Sequence, residues 1–329
     1  NEDGTAKSTL PAEGFTLMIG NLNGKNMILS GSDFEIVPFD ESSKITNCEI
    51  TLSEVSSVTI SGLTIENTNK NGIHILEGCT DVTIAENYFD ITGDAESAAS
   101  GQYSISAIFI EGFVSGINIS ENDIEVSSDI SYTYGISQSG YNLDYNPEDF
   151  TISNNEISVI NYGTTGIGEA IYLDNVFSAV IENNDIKVRT YDDVIAYGMQ
   201  VSDSMYSAIM YEGYDGDETS PNNIVIRGNK LDIFSEYMIY GITVISAGIQ
   251  VDEDGEMELC AFPLNITIAD NVVYADSDKG VIGIAGKVYN MTVINNNVTA
   301  IGTSAEGVVS YDEIGVGTYA LGVVYNGGN

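Results

Sequence analysis

The feature that most constrains the fold is a recurring motif, T-I-x-x-N-x-I, whose clearest copy is FTISNNEISV at residues 150–159. Hydrophobic and polar residues alternate on both sides of Asn155, which is typical of strands with one buried face. The two halves are out of phase, so Ile152 and Ile157 can both be buried only if the chain turns between them. Asparagine tolerates left-handed backbone and bonds to nearby backbone groups, so Asn155 is predicted to form the corner.

Seven copies of the motif align on an asparagine, and an eighth, VTISGLTI at residues 58–65, carries Leu63 instead. A looser G-I element, such as YGIS at residues 134–137, follows each copy, so the repeating unit is strand, corner, strand, loop, strand. Short repeats without helical segments predict a stacked solenoid, here a parallel β-helix of about eight coils. The predicted corner stack consists of Asn87, Asn122, Asn155, Asn184, Asn229, Asn271 and Asn296.

The corner motif followed by G-I, with inward asparagines in one stack, resembles the right-handed parallel β-helix of the pectin-lyase-like superfamily. The resemblance covers residues 55–310 and implies an all-β solenoid with lateral insertions. Residues 1–54 would then form an N-terminal cap with the first coils, and residues 311–329 a C-terminal coil or the start of a following segment, in one elongated domain. No activity is implied, because lyases, hydrolases, epimerases, phage tailspikes and adhesins share this architecture.

The composition restricts the partners. With 49 acidic and 10 basic residues among 329, the net charge is −39, so nucleic acid and anionic membranes are poor partners. No run of about 18 apolar residues is available to span a membrane. The charge either only keeps an exposed rod soluble or also holds Ca²⁺, which prefers carboxylate oxygens. The chain stops just after a strand-like run and is expected to be a monomeric segment of a longer protein.

Cysteines and glycosylation sequons give weaker signals. Cys48, Cys79 and Cys260 are too far apart for a C-x-x-C metal motif and are predicted to be buried thiols. A bridge from Cys48 to Cys79 would require neighbouring coils to bring their Cβ atoms within about 4.5 Å. Sequons would carry glycans if the protein is exported, although the same residues suit a solvent-facing strand. The sequons begin at Asn118, Asn265, Asn290 and Asn297.

The catalytic motifs of the superfamily are incomplete. Its pectate lyases use an Arg or Lys base beside bound Ca²⁺, and its polygalacturonases use aspartates with G-H-G and R-x-K. Here neither Arg189 nor Arg227 lies in R-x-K, and the single histidine, His74 in NGIHILEG, is interpreted as structural or surface-exposed. Adjacent Asp192 and Asp193 are the nearest approach to a paired-carboxylate site. Neighbouring strand residues point to opposite faces, so this pair is only an alternative catalytic site.

Three insertions interrupt the repeat in the same slot, after Ile136, Met199 and Ile242. They are predicted to emerge on one side of the rod, two of them from neighbouring coils, where solenoids commonly bind partners. Tyrosine suits both protein interfaces and the flat faces of sugars. An alternative is that these loops form a second layer packed on the sheet. The predicted binding residues are Tyr141, Tyr145, Tyr206, Tyr211 and Tyr214.

Acidic residues of the second and third insertions would converge on Ca²⁺ if these two insertions touch. Neither run matches an EF-hand loop or an RTX nonapeptide, so the site would be of another kind. The predicted ligands are Asp215, Asp217, Glu218, Asp252 and Asp254, with Glu253 and Glu256 beside them.

The abundance of Asn, Ser, Thr, Tyr and acidic residues, the scarcity of Lys and Arg, and the sequences VTISGLTI and T-I-x-N-N-x-I resemble adhesin-like proteins displayed by methanogenic archaea. That resemblance implies an extracellular cell-surface protein that binds another cell or a glycan without catalysis. Two alternatives stay open: a polysaccharide lyase or glycoside hydrolase on the same scaffold, and a passive surface stalk.

Overall fold

The computed structural model describes residues 14–94, 103–139, 147–174, 176, 178–203, 222–246, 248–251, 257–260, 264–287, 290–302 and 319–325. Within these ranges every regular element is a strand, and the strands are numbered β1 to β30 in chain order. Strand pairs are parallel except in one hairpin. The prediction of an all-β fold with parallel strands is confirmed, and the arrangement is compatible with a parallel β-helix.

Ten strands form one parallel sheet, in which each strand pairs with its counterpart in the next repeat. Ile124 pairs with Ile157, and Ile157 pairs with Ile186, so equivalent side chains lie directly beside one another. The strands are β2 (Leu22–Asn23), β4 (Lys44–Thr46), β6 (Thr64–Thr68), β9 (Tyr88–Gly93), β12 (Asp123–Ser128), β15 (Glu156–Asn161), β18 (Asp185–Thr190), β21 (Lys230–Ser235), β26 (Val272–Ser277) and β29 (Asn297–Gly302).

Eighteen further strands form a second parallel sheet with two series of strands, joined through the long strands near the N-terminus. The strands leading to the corners are β1 (Phe15–Ile19), β3 (Met27–Pro38), β5 (Ile50–Ser61), β8 (Thr80–Ala85), β11 (Ser115–Ser120), β14 (Glu148–Ser153), β17 (Ser178–Glu182), β20 (Asn222–Arg227), β25 (Leu264–Ala269) and β28 (Asn290–Ile294). The strands of the G-I elements are β7 (Ile73–Ile75), β10 (Ser104–Glu111), β13 (Tyr132–Ser139), β16 (Thr165–Asp174), β19 (Asp193–Asp203), β22 (Met238–Ser246), β27 (Gly280–Lys287) and β30 (Tyr319–Tyr325). The antiparallel hairpin consists of β23 (Gly248–Val251) and β24 (Met257–Cys260).

The structure joins the corner asparagines in one buried hydrogen-bonded ladder. Asn155 donates through Nδ2 to Oδ1 of Asn184 at 2.9 Å and to the carbonyl of Ile119 at 3.0 Å. Its own Oδ1 accepts from the backbone N–H and the Nδ2 of Asn122, both at 3.0 Å. The same side-chain bonds continue from Asn87 to Asn296. Each amide therefore satisfies buried backbone groups as well as its neighbour in the ladder.

The prediction that Asn155 itself turns the corner in the left-handed region is wrong by one residue. Asn154 has φ 56°, and Asn155 is not among the residues with positive φ. The left-handed residue is exposed, so it has no packing role, whereas the next residue must point inward to reach the ladder. The equivalent left-handed residues in the other copies are Glu86, Glu121, Asn183, Gly228, Asp270 and Asn295.

A second buried polar column closes the opposite end of the ten-stranded sheet. Thr190 Oγ1 donates to the carbonyl of Val194 at 2.9 Å, and Asn161 Nδ2 donates to the carbonyl of Ile130 at 3.1 Å. These short side chains satisfy backbone groups where the chain leaves one sheet for the other. The column consists of Ser128, Asn161, Thr190, Ser235 and Ser277.

At Gly198 and Gly241 the glycine of the G-I element is required by close backbone approach. A Cβ on Gly198 would lie 2.4 Å from the carbonyl oxygen of Gly241, and one on Gly241 would lie 2.3 Å from that of Gly283. Alanines occur at Ala107 and Ala170, so a small residue rather than glycine alone defines the row. The element therefore marks where neighbouring repeats come closest.

Cys48 and Cys79 are free and fully buried, in agreement with their interpretation as small apolar groups. The Cys79 thiol donates to the carbonyl of Leu52 at 3.5 Å. The side chain of Cys260 lies outside the described part of the chain. Nowhere in the described ranges is there a helix of the length and apolarity needed to cross a membrane.

Candidate functional site

The insertions leave the scaffold from one series of strands. The first follows β13, the second follows β19, and the third, which contains the β23–β24 hairpin, follows β22. Strand β16 pairs with β13 on one side and with β19 on the other, and β19 pairs with β22. Strands β13, β16, β19 and β22 are thus consecutive neighbours, and three of the four carry an insertion.

The residues predicted to bind a partner within these insertions lie outside the described residues. This applies to Tyr141, Tyr145, Tyr206, Tyr211 and Tyr214, and also to Asp215, Asp217, Glu218, Asp252 and Asp254. Both assignments, including Ca²⁺ binding, therefore stay predictions. In the part of the chain that the structure describes, no group of three or more His, Cys, Asp or Glu residues is arranged to hold a metal ion.

The outer surface of these four strands is rich in tyrosine. A Cβ on Gly135 would lie 2.7 Å from Ile157 in the opposite sheet, so Gly135 faces the core and Tyr134 beside it faces outward. The same argument applies to Tyr197 before Gly198 and to Tyr240 before Gly241. We call this surface the tyrosine face. Its outward residues are Tyr134, Glu169, Tyr172, Tyr197, Gln200, Tyr240 and Thr243.

The tyrosine rings stack on one another across the strands. Tyr197 and Tyr240 have ring centroids 4.9 Å apart and an interplanar angle of 11°, and Tyr134 and Tyr172 lie 5.8 Å apart. Because stacking covers the ring faces, the half-buried rings present their edges and hydroxyl groups outward. Burial, and then the nearby Glu169 and tyrosine side chains, raises the pKa of Tyr134, so its hydroxyl stays protonated at physiological pH.

Glu169 is the exceptional residue of the tyrosine face. It lies in register between Tyr134 and Tyr197 and is only 1% exposed. Its Oε1 has no hydrogen-bond partner among the described residues, and burial raises the pKa of its carboxyl well above the usual range. Thr243 is equally buried, and its Oγ1 also lacks a partner within the described ranges. Each unsatisfied group costs about 1–3 kcal/mol, so this face is incomplete as a purely structural surface.

Sequence reasoning missed Glu169, although a signal was present. The G-I elements YGIS, YGMQV and YGITV place Tyr134, Tyr197 and Tyr240 before the small residue, whereas EAIYL places Glu169 there. Aligning the second element residue by residue would have shown an acid at a position where the neighbouring copies carry Tyr134 and Tyr197.

Replacing Glu169 with tyrosine is expected to raise the free energy of unfolding by about 1–3 kcal/mol at pH 7, because it removes a buried unsatisfied acid. A buried carboxyl with a raised pKa stabilises the fold below its unfolded pKa and loses that contribution as pH rises through its folded pKa. The gain in Glu169→Tyr should therefore be larger at pH 7 than at pH 4. Urea unfolding at both pH values measures this gain in stability, with the exposed substitution Glu156→Gln as a control. An unchanged or lower unfolding free energy of Glu169→Tyr at pH 7 would contradict the prediction.

The alternative catalytic pair lies at the other end of β19 from the insertion. Asp192 precedes the strand with φ 51°, and its backbone N–H donates to Oε2 of Glu236 at 3.1 Å. Asp193 begins the strand and lies 3.7 Å from Nζ of Lys279. Both aspartates are exposed, and neither belongs to the tyrosine face.

The sequon asparagines lie in strands. Asn118 in β11 is half-buried, while Asn265 in β25 and Asn297 in β29 are exposed. Asn290 begins β28, and its side chain is outside the described part. Attachment of glycans to these residues stays a prediction.

His74 forms ion pairs on the outer surface of β7. Its Nδ1 lies 3.6 Å from Glu49 and its Nε2 lies 3.0 Å from Glu111, while its ring stacks on Phe109 at 4.8 Å. Burial lowers the pKa of His74, but the hydrogen bonds and charges of the two glutamates outweigh burial and raise it. Burial alone would raise the pKa of the Glu49 carboxyl. The hydrogen bond and the charge of His74 outweigh burial and lower that pKa.

We expect His74→Gln to destabilise the protein by about 0.5–1 kcal/mol in a limited pH window. The histidine contribution is complete below its unfolded pKa of about 6.5 and is lost as pH rises through its raised folded pKa. The Glu49 contribution is present above its unfolded pKa of about 4.3 and is lost as pH falls through its lowered folded pKa. Denaturant unfolding of both proteins between pH 4 and 9 should show the largest difference near pH 5–6; a pH-independent difference contradicts the ion pairs.

A shallow groove of about 680 Å³ on the ten-stranded sheet is a less suitable site. Its charged side chains partly satisfy one another, as Lys230 Nζ donates to Asp185 at 2.8 Å. Asp232, which also lines the groove, forms an ion pair at 2.6 Å with Arg189, which lies outside the groove. The tyrosine face, with its unpartnered polar atoms, has more to gain from a ligand.

The chain has no significant match to a protein-family model, to a curated protein or to a solved structure. The resemblances to the pectin-lyase-like superfamily and to archaeal adhesins therefore stay predictions from sequence motifs. The fold assignment rests on the strand pairing described above.

Proposed function

We propose that the chain is a right-handed parallel β-helix of about eight or more coils, with the asparagine ladder at one corner and insertions on one side. In-register pairing of successive repeats supports this arrangement, and parallel crossovers in one sheet are almost always right-handed. The repeated unit and the corner motif support the resemblance to the pectin-lyase-like architecture.

In function, the β-helix is a non-catalytic, extracellular adhesin-like protein that binds a glycan or another partner on a cell surface. The observation that carries this proposal is the pair of buried, unpartnered polar atoms, Glu169 Oε1 on β16 and Thr243 Oγ1 on β22, within the group of four neighbouring strands from which the insertions start. A passive stalk gains nothing from such a face, because each unpartnered group lowers its stability. The Tyr134 hydroxyl beside Glu169 can add a hydrogen bond to a polar ligand.

Binding to whole cells and to a glycan array tests the proposal. We expect the intact protein to bind, and a variant with residues 202–223 replaced by a short Gly-Ser linker to bind at least about tenfold more weakly. Circular dichroism should first establish that the variant keeps its strand content. No binding by the intact protein would favour the stalk, and equal binding by both proteins would contradict binding through this insertion.

A screen against uronate and neutral polysaccharides, with and without Ca²⁺, tests the non-catalytic part. We expect no cleavage of any polysaccharide. Turnover that disappears in Asp192→Asn or Asp193→Asn would assign catalysis to that pair and overturn the proposal.

A further inference from the structure

We propose that Glu169 binds the protonated amine of an amino-sugar ligand on the tyrosine face. This inference rests on the proposed glycan-binding function and specifies the chemistry of the ligand. It is carried by the position of one buried carboxyl group between two tyrosines, with an oxygen that no described residue satisfies.

Glu169 has no positively charged partner within the described ranges. Several other carboxylates of the described chain form ion pairs, as Glu182 does with Arg227 at 2.6 Å and Asp185 with Lys230 at 2.8 Å. The carboxyl of Glu169 is influenced by burial alone, with no positively charged group lowering its pKa. A buried carboxylate is stable only when a positive charge is paired with it. A ligand ammonium group would supply that charge and donate to the free Oε1.

The residues around Glu169 and the charge of the whole chain also favour a cation. Tyr134 and Tyr197 flank Glu169 in register, about 4.8 Å away on either side. The Tyr134 ring is stacked on Tyr172, so it presents its hydroxyl oxygen, a hydrogen-bond acceptor, to an ammonium group rather than a free ring face. The net charge of −39 also raises the concentration of cations near the whole surface. Both effects favour a cationic ligand over an anionic one.

Ca²⁺ and a neutral sugar hydroxyl fit Glu169 less well than an ammonium group does. Ca²⁺ takes six to eight oxygen ligands, whereas this site offers one carboxyl group and neutral phenols. A neutral sugar hydroxyl would be bound equally well by glutamine, which has the shape of glutamate and avoids the cost of a buried acid. A carboxyl group therefore has the greatest advantage over glutamine when the ligand is positively charged.

The raised pKa of Glu169 determines how an ammonium ligand would bind. Burial raises the pKa of the Glu169 carboxyl and so favours its protonated form, from which an ammonium ligand would displace the proton as the ion pair forms. The proton goes to the buffer, and binding should strengthen as pH rises until the ligand amine itself loses its charge. Because Glu169 is only 1% exposed, binding requires the side chains around it to move, and side-chain rotation is fast.

The test compares glucosamine oligosaccharides with N-acetylglucosamine oligosaccharides of the same length, by isothermal titration calorimetry with wild-type protein and with Glu169→Gln. We expect the wild type to bind the oligosaccharide with free amines about tenfold or more tightly than the acetylated one. A hydrogen bond to a charged group contributes enough binding free energy for such a difference. Glu169→Gln should lose this preference, while exposed Glu156→Gln should keep it. Titrations in phosphate and in Tris should show release of up to one proton by the wild type.

The outcomes separate this inference from the proposed function. Equal binding of both oligosaccharides by the wild type overturns the amine inference and leaves glycan binding intact. A preference that persists in Glu169→Gln would reflect the overall charge and would also overturn it. If Glu169→Gln does not fold, the proton release measured with the wild type tests the inference instead. Binding of the amine without proton release would contradict a role for Glu169. Absence of binding to both oligosaccharides overturns the inference, whereas the proposed function fails only if cells and the glycan array are also not bound.

Discussion

Replacing Asn155 with alanine is expected to lower the free energy of unfolding by about 3–5 kcal/mol, because the side chain makes four hydrogen bonds inside the ladder. The change leaves the carbonyl of Ile119 and the backbone N–H of Asn122 buried without their partners. Unsatisfied buried groups cost about 1–3 kcal/mol each. Urea unfolding followed by circular dichroism measures the loss.

The matched control is Glu156→Ala, one residue further on, where the side chain is exposed. Surface substitutions of this kind usually change stability by less than about 0.5 kcal/mol. A similar small effect for Asn155→Ala would show that the ladder does not stabilise the stacking of the repeats. Since solenoid repeats are stabilised by their neighbours, the loss should also broaden the unfolding transition.

The second large effect is expected at the row of small residues. In Gly198→Ala the new Cβ would lie 2.4 Å from the carbonyl oxygen of Gly241 and 2.4 Å from Cδ2 of Leu231. A backbone oxygen cannot move without disturbing the pairing of β19 with β22, so we expect a loss of about 3 kcal/mol. Thermal unfolding monitored by circular dichroism measures it.

Gly20→Ala provides the control, because a Cβ at Gly20 has no atom within 4 Å. That substitution should leave stability unchanged or raise it by up to about 1 kcal/mol, by reducing the freedom of the unfolded chain. Equal effects of the two substitutions would mean that close backbone approach is not what selects glycine in the G-I element.

Much of the fold could be predicted because stacking repeats one environment many times. An asparagine at the corner can donate to one neighbour and accept from the other, so the same residue is favoured in every repeat. Leu63 interrupts the series, and its backbone N–H still donates to Asn87 Oδ1 at 3.0 Å. The left-handed position was misplaced because no single residue type marks it: Glu121, Asn154 and Gly228 all occur there.

The candidate site was harder to predict, because function does not repeat. The insertions were located by their spacing, and the structure shows the strands from which they start. Glu169 was missed because its meaning depends on the residues beside it in neighbouring strands, Tyr134 and Tyr197, which lie far from it in sequence. An acid is ordinary in so acidic a chain, and only burial without a partner distinguishes this one.

The most direct test of the account is the affinity of the tyrosine face for its ligand. Cell binding and glycan-array signals should be measured for the wild type, for the double variant Tyr197→Ser with Tyr240→Ser, and for Tyr274→Ser. Tyr274 is 42% exposed on the ten-stranded sheet and serves as the matched control. We predict that the double variant loses about tenfold or more in affinity while Tyr274→Ser binds like the wild type. Wild-type affinity in a folded double variant would contradict binding through this face.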